Sequence, residues 1–244
     1  MSSETLFISD LHLAASRPEP VARFLDFIRH RASGAESLFI LGDLFDAYLG
    51  DDNNAWPFGL IKQVLKQRVD AGTAIFIQPG NRDFLLGERF HLETGCGLLG
   101  DYALIDLYGT PTLLTHGDLL CTDDVQYQAA RVRVRSPEWR AYALGKPLWM
   151  RQLYARWYRF KSGLDKGGKT QEIMDVNADT VQRIMLQYGV RRLIHGHTHR
   201  PAIHVLTLDG QSAERFVLPE WKGSEWVLCW DARGFRQESL PQAG

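Results

Sequence analysis

Seven side chains able to bind a metal, Asp10, His12, Asp43, Asn81, His116, His197 and His199, fall in five short blocks of this 244-residue chain. The blocks read Asp10-Leu11-His12, Gly42-Asp43-Leu44-Phe45-Asp46, Gly80-Asn81-Arg82-Asp83, His116-Gly117-Asp118 and Gly196-His197-Thr198-His199. Carboxylate oxygen, amide oxygen and imidazole nitrogen in one set suit manganese, iron, zinc or nickel better than calcium, and no thiolate takes part. Two such cations would leave room for a phosphate, neutralising charge on a phosphoryl group and acidifying water. Each block alone has a plainer reading. Asp-x-His is commonly a capped turn, Gly-Asp is turn chemistry, Asn81 after Pro79-Gly80 suits a left-handed turn position, and His116 suits a core. Gly-His-Thr-His is the sharpest single block. All five plain readings must hold together to dispense with a metal site, so the set is read as one. Two ions about 3.5–4 Å apart need a bridging carboxylate, and Asp43, after a tight turn at Gly42, is placed to be that bridge.

The blocks follow apolar runs. Thr5–Ser9, Ser37–Leu41 and Ala74–Gln78 are short, continuous and rich in Ile and Phe, as strands buried on both faces are. Helical spacing over Val21–Arg31 and Pro57–Ala71 between them predicts a layered α/β sheet. Ligands at the carboxyl ends of parallel strands converge on one edge. In an extended strand exit, Asp10 and His12 point the same way, as do His197 and His199. Tyr102–Leu107 and Thr112–Thr115, joined by Tyr108-Gly109-Thr110-Pro111, predict a hairpin ending at His116. Val176–Tyr188 predicts a helix stopped by Gly189, and Arg192–Ile194 a short strand. Ala202–Leu208, Asp209-Gly210, Ala213–Val217 and Trp226–Trp230 read as an antiparallel second sheet.

With 45% hydrophobic residues the chain can fill one domain, or a domain with a large insertion. A net charge of −1 gives no overall attraction to nucleic acid or membrane. Cys96, Cys121 and Cys229 are scattered and lack metal-ligand spacing, as reduced thiols of a cytosolic protein would be. No signal-peptide pattern opens the sequence and no apolar run approaches the roughly 20 residues that span a bilayer. The expectation is a soluble intracellular protein able to touch a membrane surface.

In this order the five blocks resemble the signature of the calcineurin-like metallophosphoesterases, from residue 10 to 199. The resemblance implies an α-β-β-α sandwich. It implies a first metal on Asp10, His12, Asp43 and His199, a second on Asp43, Asn81, His116 and His197, and a bridging hydroxide as nucleophile on phosphorus. One departure is informative. Most members have histidine after the asparagine, thought to protonate a poor leaving group, whereas this chain has Arg82. Arginine stays protonated and cannot serve as that acid. Its planar fork holds two phosphate oxygens instead. Such a site suits a leaving group already stable as an anion, which points to pyrophosphate cleavage.

Longer strings narrow the resemblance. Ser9-Asp10-Leu11-His12-Leu13, Ile77-Gln78-Pro79-Gly80-Asn81-Arg82-Asp83-Phe84-Leu85, Leu114-Thr115-His116-Gly117-Asp118, Ile173-Met174-Asp175-Val176-Asn177 and Ile194-His195-Gly196-His197-Thr198-His199-Arg200-Pro201 are similar to the UDP-2,3-diacylglucosamine diphosphatases of lipid A biosynthesis. That family implies hydrolysis to UMP and 2,3-diacylglucosamine 1-phosphate (lipid X) by attack on the phosphorus next to uridine. It implies manganese and a peripheral position on the cytoplasmic leaflet of the bacterial inner membrane. By matching position, Asn81, Arg82, Asp124, Ser162, Lys166, Lys169 and His197 would contact substrate, with Asn81 and Arg82 also catalytic. Lys166 departs from the smaller polar residue the family often has. His195 reads as an orienting or packed residue rather than a ligand.

Residues 122–170 interrupt a core formed by 1–121 and 171–244. From Arg131 to Lys169 there are eleven Lys or Arg against Glu138 and Asp165, interleaved with aromatic residues. Residues 148–160 put an apolar and aromatic face at helical spacing opposite arginine. Three readings stand: an interfacial helix drawn to anionic lipid, an ordinary helix packed on its own core with arginines solvated outside, and a nucleic-acid surface. The last is disfavoured because the rest of the chain is not basic, and no obligate protein partner is inferred. Resemblance implies a helical lid that receives acyl chains. Alternatives for the whole chain are another dinuclear metallophosphoesterase, such as a phosphomonoesterase or nucleotide phosphodiesterase, and a scaffold that has lost catalysis.

Overall fold

The computed structural model describes residues 4–165, 175–222 and 226–240, with backbone alone over 158–165. The three opening runs form parallel strands β1 (Thr5–Ile8), β2 (Ser37–Leu41) and β3 (Ala74–Gln78) in unbroken register, from Thr5↔Ser37 to Leu41↔Gln78. They are apolar throughout because both faces are covered. Leu6, Ile8, Leu38, Ile40, Ile75 and Ile77 face helices α1 (Pro18–Arg29) and α2 (Phe58–Asp70), against Phe24, Ile28, Ile61 and Leu65. On the other face Phe7, Phe39 and Phe76 stack at 5.2 and 4.9 Å and pack against Leu114, Ile194 and Phe216 of a second sheet.

That second sheet runs β5 (Ala103–Leu107), β6 (Thr110–Leu114), β7 (Arg192–His195), β9 (Gln211–Val217) and β8 (Ala202–Leu208) in spatial order. Its outer face packs Leu113 and Leu193 on Val181, Ile184 and Met185 of α7 (Ala178–Gln187), whose first turn is capped by Asn177 Oδ1 accepting from Thr180 N at 2.9 Å. The layers are therefore helix, sheet, sheet, helix, as expected. The hairpin between β5 and β6 is tighter than expected, because Tyr108 and Gly109 alone make the turn, both at positive φ, and Thr110 and Pro111 belong to the strand.

One strand assignment is corrected. Residues 226–231 do not join the second sheet. They form β10 (Trp226–Asp231), which pairs antiparallel with β1 (Thr5↔Trp230) and extends the first sheet together with β11 (Gly234–Ser239). Burial explains it: five of the six β10 residues are buried, as an inner strand requires, rather than alternating. The short helix α3 (Glu88–Thr94) and strand β4 (Gly97–Leu98) complete the far edge.

Between the fourth and fifth blocks lie three helices, α4 (Val125–Arg135), α5 (Pro137–Leu144) and α6 (Leu148–Asp165). Asp124 and Ser136 cap the first two, accepting from Tyr127 N and Trp139 N. The packing reverses the ordinary-helix reading. Arg151 is 8% exposed and donates to Leu49 O and to both carboxylate oxygens of Asp52, while Trp149 and Leu153, at 65% and 64%, face outward. Arg131 is also buried, bridging Asp118 (Nε, 2.7 Å) and Asp101 (Nη2, 2.6 Å), and Arg135 donates to the carbonyls of Pro79 and Gly80. Arginine points inward because the loops beneath offer carboxylates and carbonyls that need donors, and a paired guanidinium tolerates burial. Among the described residues, no helix is long and apolar enough to cross a membrane.

Arg131→Ala removes the nearest counter-charge of the buried Asp118 carboxylate, leaving it Tyr127 Oη, and is expected to cost about 3 kcal/mol of stability. Urea denaturation measures it, and adding Asp118→Asn is expected to recover part of the loss.

Candidate metal centre

All seven donors sit just beyond strand ends that converge between the sheets: Asp10 and His12 after β1, Asp43 after β2, Asn81 after β3, His116 after β6, and His197 and His199 after β7. Their aim is not that of an extended strand exit, which corrects the period-two expectation. Asp10, His12, Asp43, His197 and His199 have φ of 54°, 49°, 51°, 69° and 54°. Only Tyr108 and Asp209, both in hairpin turns, share that region among the described non-glycine residues. Left-handed backbone is unfavourable for L-residues with bulky side chains and persists only where surroundings impose it. Here Asp10 N and His12 N donate to Gly42 O and Asp43 O at 3.1 and 2.9 Å, zipping the first block to the second. Asn81 is not left-handed, so the turn reading does not apply to it.

The glycines of the blocks make room for donors of other blocks. A Cβ on Gly42 would lie 2.2 Å from His116 Nδ1, on Gly80 2.2 Å from Asp43 Oδ1, and on Gly196 2.3 Å from Asp10 Oδ2. Backbone amides then fix one oxygen of each carboxylate: His197 N donates to Asp10 Oδ2 and Arg82 N to Asp43 Oδ1, both at 2.8 Å. Asp83, fully buried, accepts from Gly80 N (2.7 Å) and Phe45 N (3.3 Å), tying the third block to the second.

The inward-facing atoms form two clusters able to hold a cation, Asp10 with His12 and His199, and Asp10 with Asp43 and His116. A third grouping is tighter. Asn81 Oδ1, His116 Nε2 and His197 Nδ1 stand 2.9, 3.1 and 3.2 Å apart. Ligand atoms on an octahedron with bonds of about 2.1 Å are separated by about 3.0 Å, so this triangle fits one face of a coordination shell. His116 Nδ1 donates to Leu41 O at 2.9 Å, leaving Nε2 with a free lone pair toward the site. His12 Nδ1 is buried without a hydrogen-bond partner, 3.8 Å from Asp43 Oδ2. A buried nitrogen with no hydrogen-bond partner and aimed at carboxylates fits the role of a cation ligand. The donor set therefore suits two divalent ions.

Burial and mutual charge shift the donors in different directions. Burial, helped by the Asp83 and Asp10 charges, pushes the Asp43 carboxyl up to about 7. Burial also opposes ionisation of Asp10, but the His199 hydrogen bond and the charges of His116 and His12 outweigh it and hold Asp10 well below the usual carboxylate range. Burial pushes His12 and His197 down to about 4, so both are neutral near pH 7, as ligands must be. His199 resists burial through hydrogen bonds to Asp10 (3.2 Å) and Glu220 (2.8 Å) and rises to about 9.

Other expected contacts are placed less centrally. Arg82 is about a third exposed at the rim, 3.9 Å from Asp46. Asp124 uses its carboxylate as the cap of α4. Ser162 lies in α6 where the backbone alone is described, and Lys166 and Lys169 lie outside the described residues. His195 is buried, with Nδ1 against Gly196 O and Nε2 against Arg215, the packed role expected. The sequence reading missed Asp83, present in the third block but given no role, and Glu220, which lies outside every block and has no local pattern to betray it.

A model of the calcineurin-like phosphoesterase family matches residues 4–201. The chain is 47% identical over 230 residues to a UDP-2,3-diacylglucosamine hydrolase of Cellvibrio japonicus, covering 94% of this chain and 96% of that protein. It is 48% identical over 236 residues to one of Pseudomonas aeruginosa, covering 97% and 98%. Among solved structures, an archaeal phosphodiesterase aligns over 97% of this chain and 99% of its own, at 13% identity and TM-score 0.48.

A cation entering this centre must displace the His199 proton, which is held at every pH below about 9. Adding Mn²⁺ to metal-free protein at pH 7 is expected to release about one proton or more, read with an indicator dye in weak buffer. Below that pKa, affinity is expected to fall roughly tenfold per pH unit for each proton displaced.

Proposed function

This chain belongs to the calcineurin-like phosphoesterases and, within them, to the family of the UDP-2,3-diacylglucosamine hydrolases, and from that membership we propose that it hydrolyses the pyrophosphate bond of UDP-2,3-diacylglucosamine to UMP and 2,3-diacylglucosamine 1-phosphate, a step of lipid A biosynthesis. The observation that carries the reading is 47–48% identity over nearly the whole length to hydrolases named for that substrate. Water adds to the phosphorus next to uridine, the bond from that phosphorus to the bridging oxygen breaks, and the acylated sugar phosphate leaves as an anion.

Two divalent cations, manganese by family resemblance, supply Lewis acidity to the phosphoryl oxygens and to the attacking water when bound. The chain's own residues do the rest. Asp10, His12, Asp43 and His199 would hold one ion, and Asp43, Asn81, His116 and His197 the other. Arg82, on the same loop as Asn81, presents a permanent cation at the rim to the diphosphate. A leaving phosphate monoester needs no proton donor, which is why arginine serves there.

Helices α4–α6, in the 122–170 insertion, are proposed as the lid over the lipid end of the substrate. Support comes from their outward aromatic and aliphatic residues, Trp149, Leu153, Tyr154 and Trp157, held on a base of inward arginines. Such a surface suits acyl chains and the interface of the cytoplasmic leaflet. The same inward arginines weigh against a nucleic-acid partner, since Arg131, Arg135 and Arg151 are already engaged by protein carboxylates and carbonyls.

Incubation with UDP-2,3-diacylglucosamine and Mn²⁺ is expected to yield UMP, and a chelator to abolish it; no UMP overturns the substrate assignment. Asp43→Ala is expected to abolish turnover. Arg82→Ala is expected to lower turnover roughly a hundredfold or more with both metals retained, and metal loss at unchanged per-metal activity contradicts its role.

A further inference from the structure

We infer that Glu220 is a positioning residue that makes the two cation sites unequal, tightening the site of Asp10, His12 and His199 over that of Asn81, His116 and His197. The inference rests on the two-cation reading above. Glu220 Oε2 accepts from His199 Nδ1 at 2.8 Å, which fixes the ring so that Nε2 faces Asp10 Oδ1 at 3.2 Å. Its other oxygen, Oε1, lies 3.9 Å from His12 Nε2, an electrostatic rather than hydrogen-bonding distance, while His12 turns its orphaned Nδ1 inward. One carboxylate thus stands behind both histidines of the first site. A carboxylate behind a ligating imidazole orients it and raises its basicity, and losing such a partner costs metal affinity.

In the second site, among the described residues, no carboxylate hydrogen-bonds to the outer nitrogen of a histidine, and Asp118 acts on His116 and His197 only through its charge. His116 Nδ1 donates to a neutral carbonyl, Leu41 O, and the third donor is the amide of Asn81 rather than a carboxylate. Asp118, the nearest acidic residue after His116, directs Oδ2 to Tyr127 and Arg131 instead. Lys222 Nζ pairs with Glu220 Oε1 at 2.7 Å but is largely exposed, so water screens the neutralisation it provides. The loop carrying Glu220 is fixed to the same site, because the next residue, Trp221, is buried and donates its backbone N–H to Asp10 O at 3.2 Å.

The test is Mn²⁺ binding to the metal-free full chain, by equilibrium dialysis and calorimetry at one pH, comparing wild type with Glu220→Gln and Glu220→Asp. Gln keeps the size and an acceptor for His199 but removes the charge. Wild type is expected to bind two ions in a tighter and a weaker class. Glu220→Gln is expected to weaken the tighter class about 10- to 100-fold while the weaker class stays unchanged, and Glu220→Asp to recover part of the loss. A circular-dichroism melt establishes that each variant is folded. Equal weakening of both classes, or of neither, overturns the inference while leaving the two-cation site intact. Wild type binding no Mn²⁺ overturns the two-cation reading itself.

Discussion

Three carboxylates, Asp10, Asp43 and Asp83, are buried together where β1, β2 and β3 end, and the surroundings are arranged to meet their charge. An ionised group away from water needs donors or counter-charge. Each finds part of that in an amide from a different loop: Asp10 from His197, Asp43 from Arg82, Asp83 from Gly80 and Phe45. No loop of the centre is therefore independent of the others. The glycines follow from the same demand, since a carboxylate or imidazole of one block occupies the volume a side chain would need in another. Cations complete a balance that the amides begin.

The opening of the first sheet was legible because its strands are buried on both faces, and nothing but continuous apolar residues fits there. The donors were legible as blocks because each follows such a run. How they aim was not. Two residues apart on an extended strand is a sound rule, yet Asp10, His12, His197 and His199 all leave that conformation, and loop-to-loop hydrogen bonds impose it from outside the local sequence. β10 was misassigned for a related reason. Consecutive strands commonly pair, but the chain after β9 crosses to the other sheet, and only the partner β1, at the opposite end of the sequence, explains why. Glu220 lacks a motif because its role is defined by two histidines far away in the chain.

The insertion allowed several readings from composition alone, and geometry separates them. One of them, arginines solvated outside and rings against the helix's own core, does not fit the packing of Arg151, Trp149 and Leu153. In the molecule Arg131, Arg135 and Arg151 are the mortar between α4–α6 and the loops beneath, and Trp149, Tyr154 and Trp157 face outward while Trp139 packs on Phe84. Arg135 donates to Gly80 O, one residue from Asn81, so the helices proposed to meet the lipid are bonded to a loop proposed to hold a cation. Binding and chemistry share a frame.

The pairing of β1 with β10 also has a consequence in time. Thr5 meets Trp230, and a chain synthesised at about 5–20 residues per second leaves the first strand bare on one side for on the order of ten seconds or more. Both candidate cation sites draw a donor from the fifth block, and Glu220 emerges later still. Neither ligand set is therefore complete until the chain has been made through His199, long after the strands that carry its first donors.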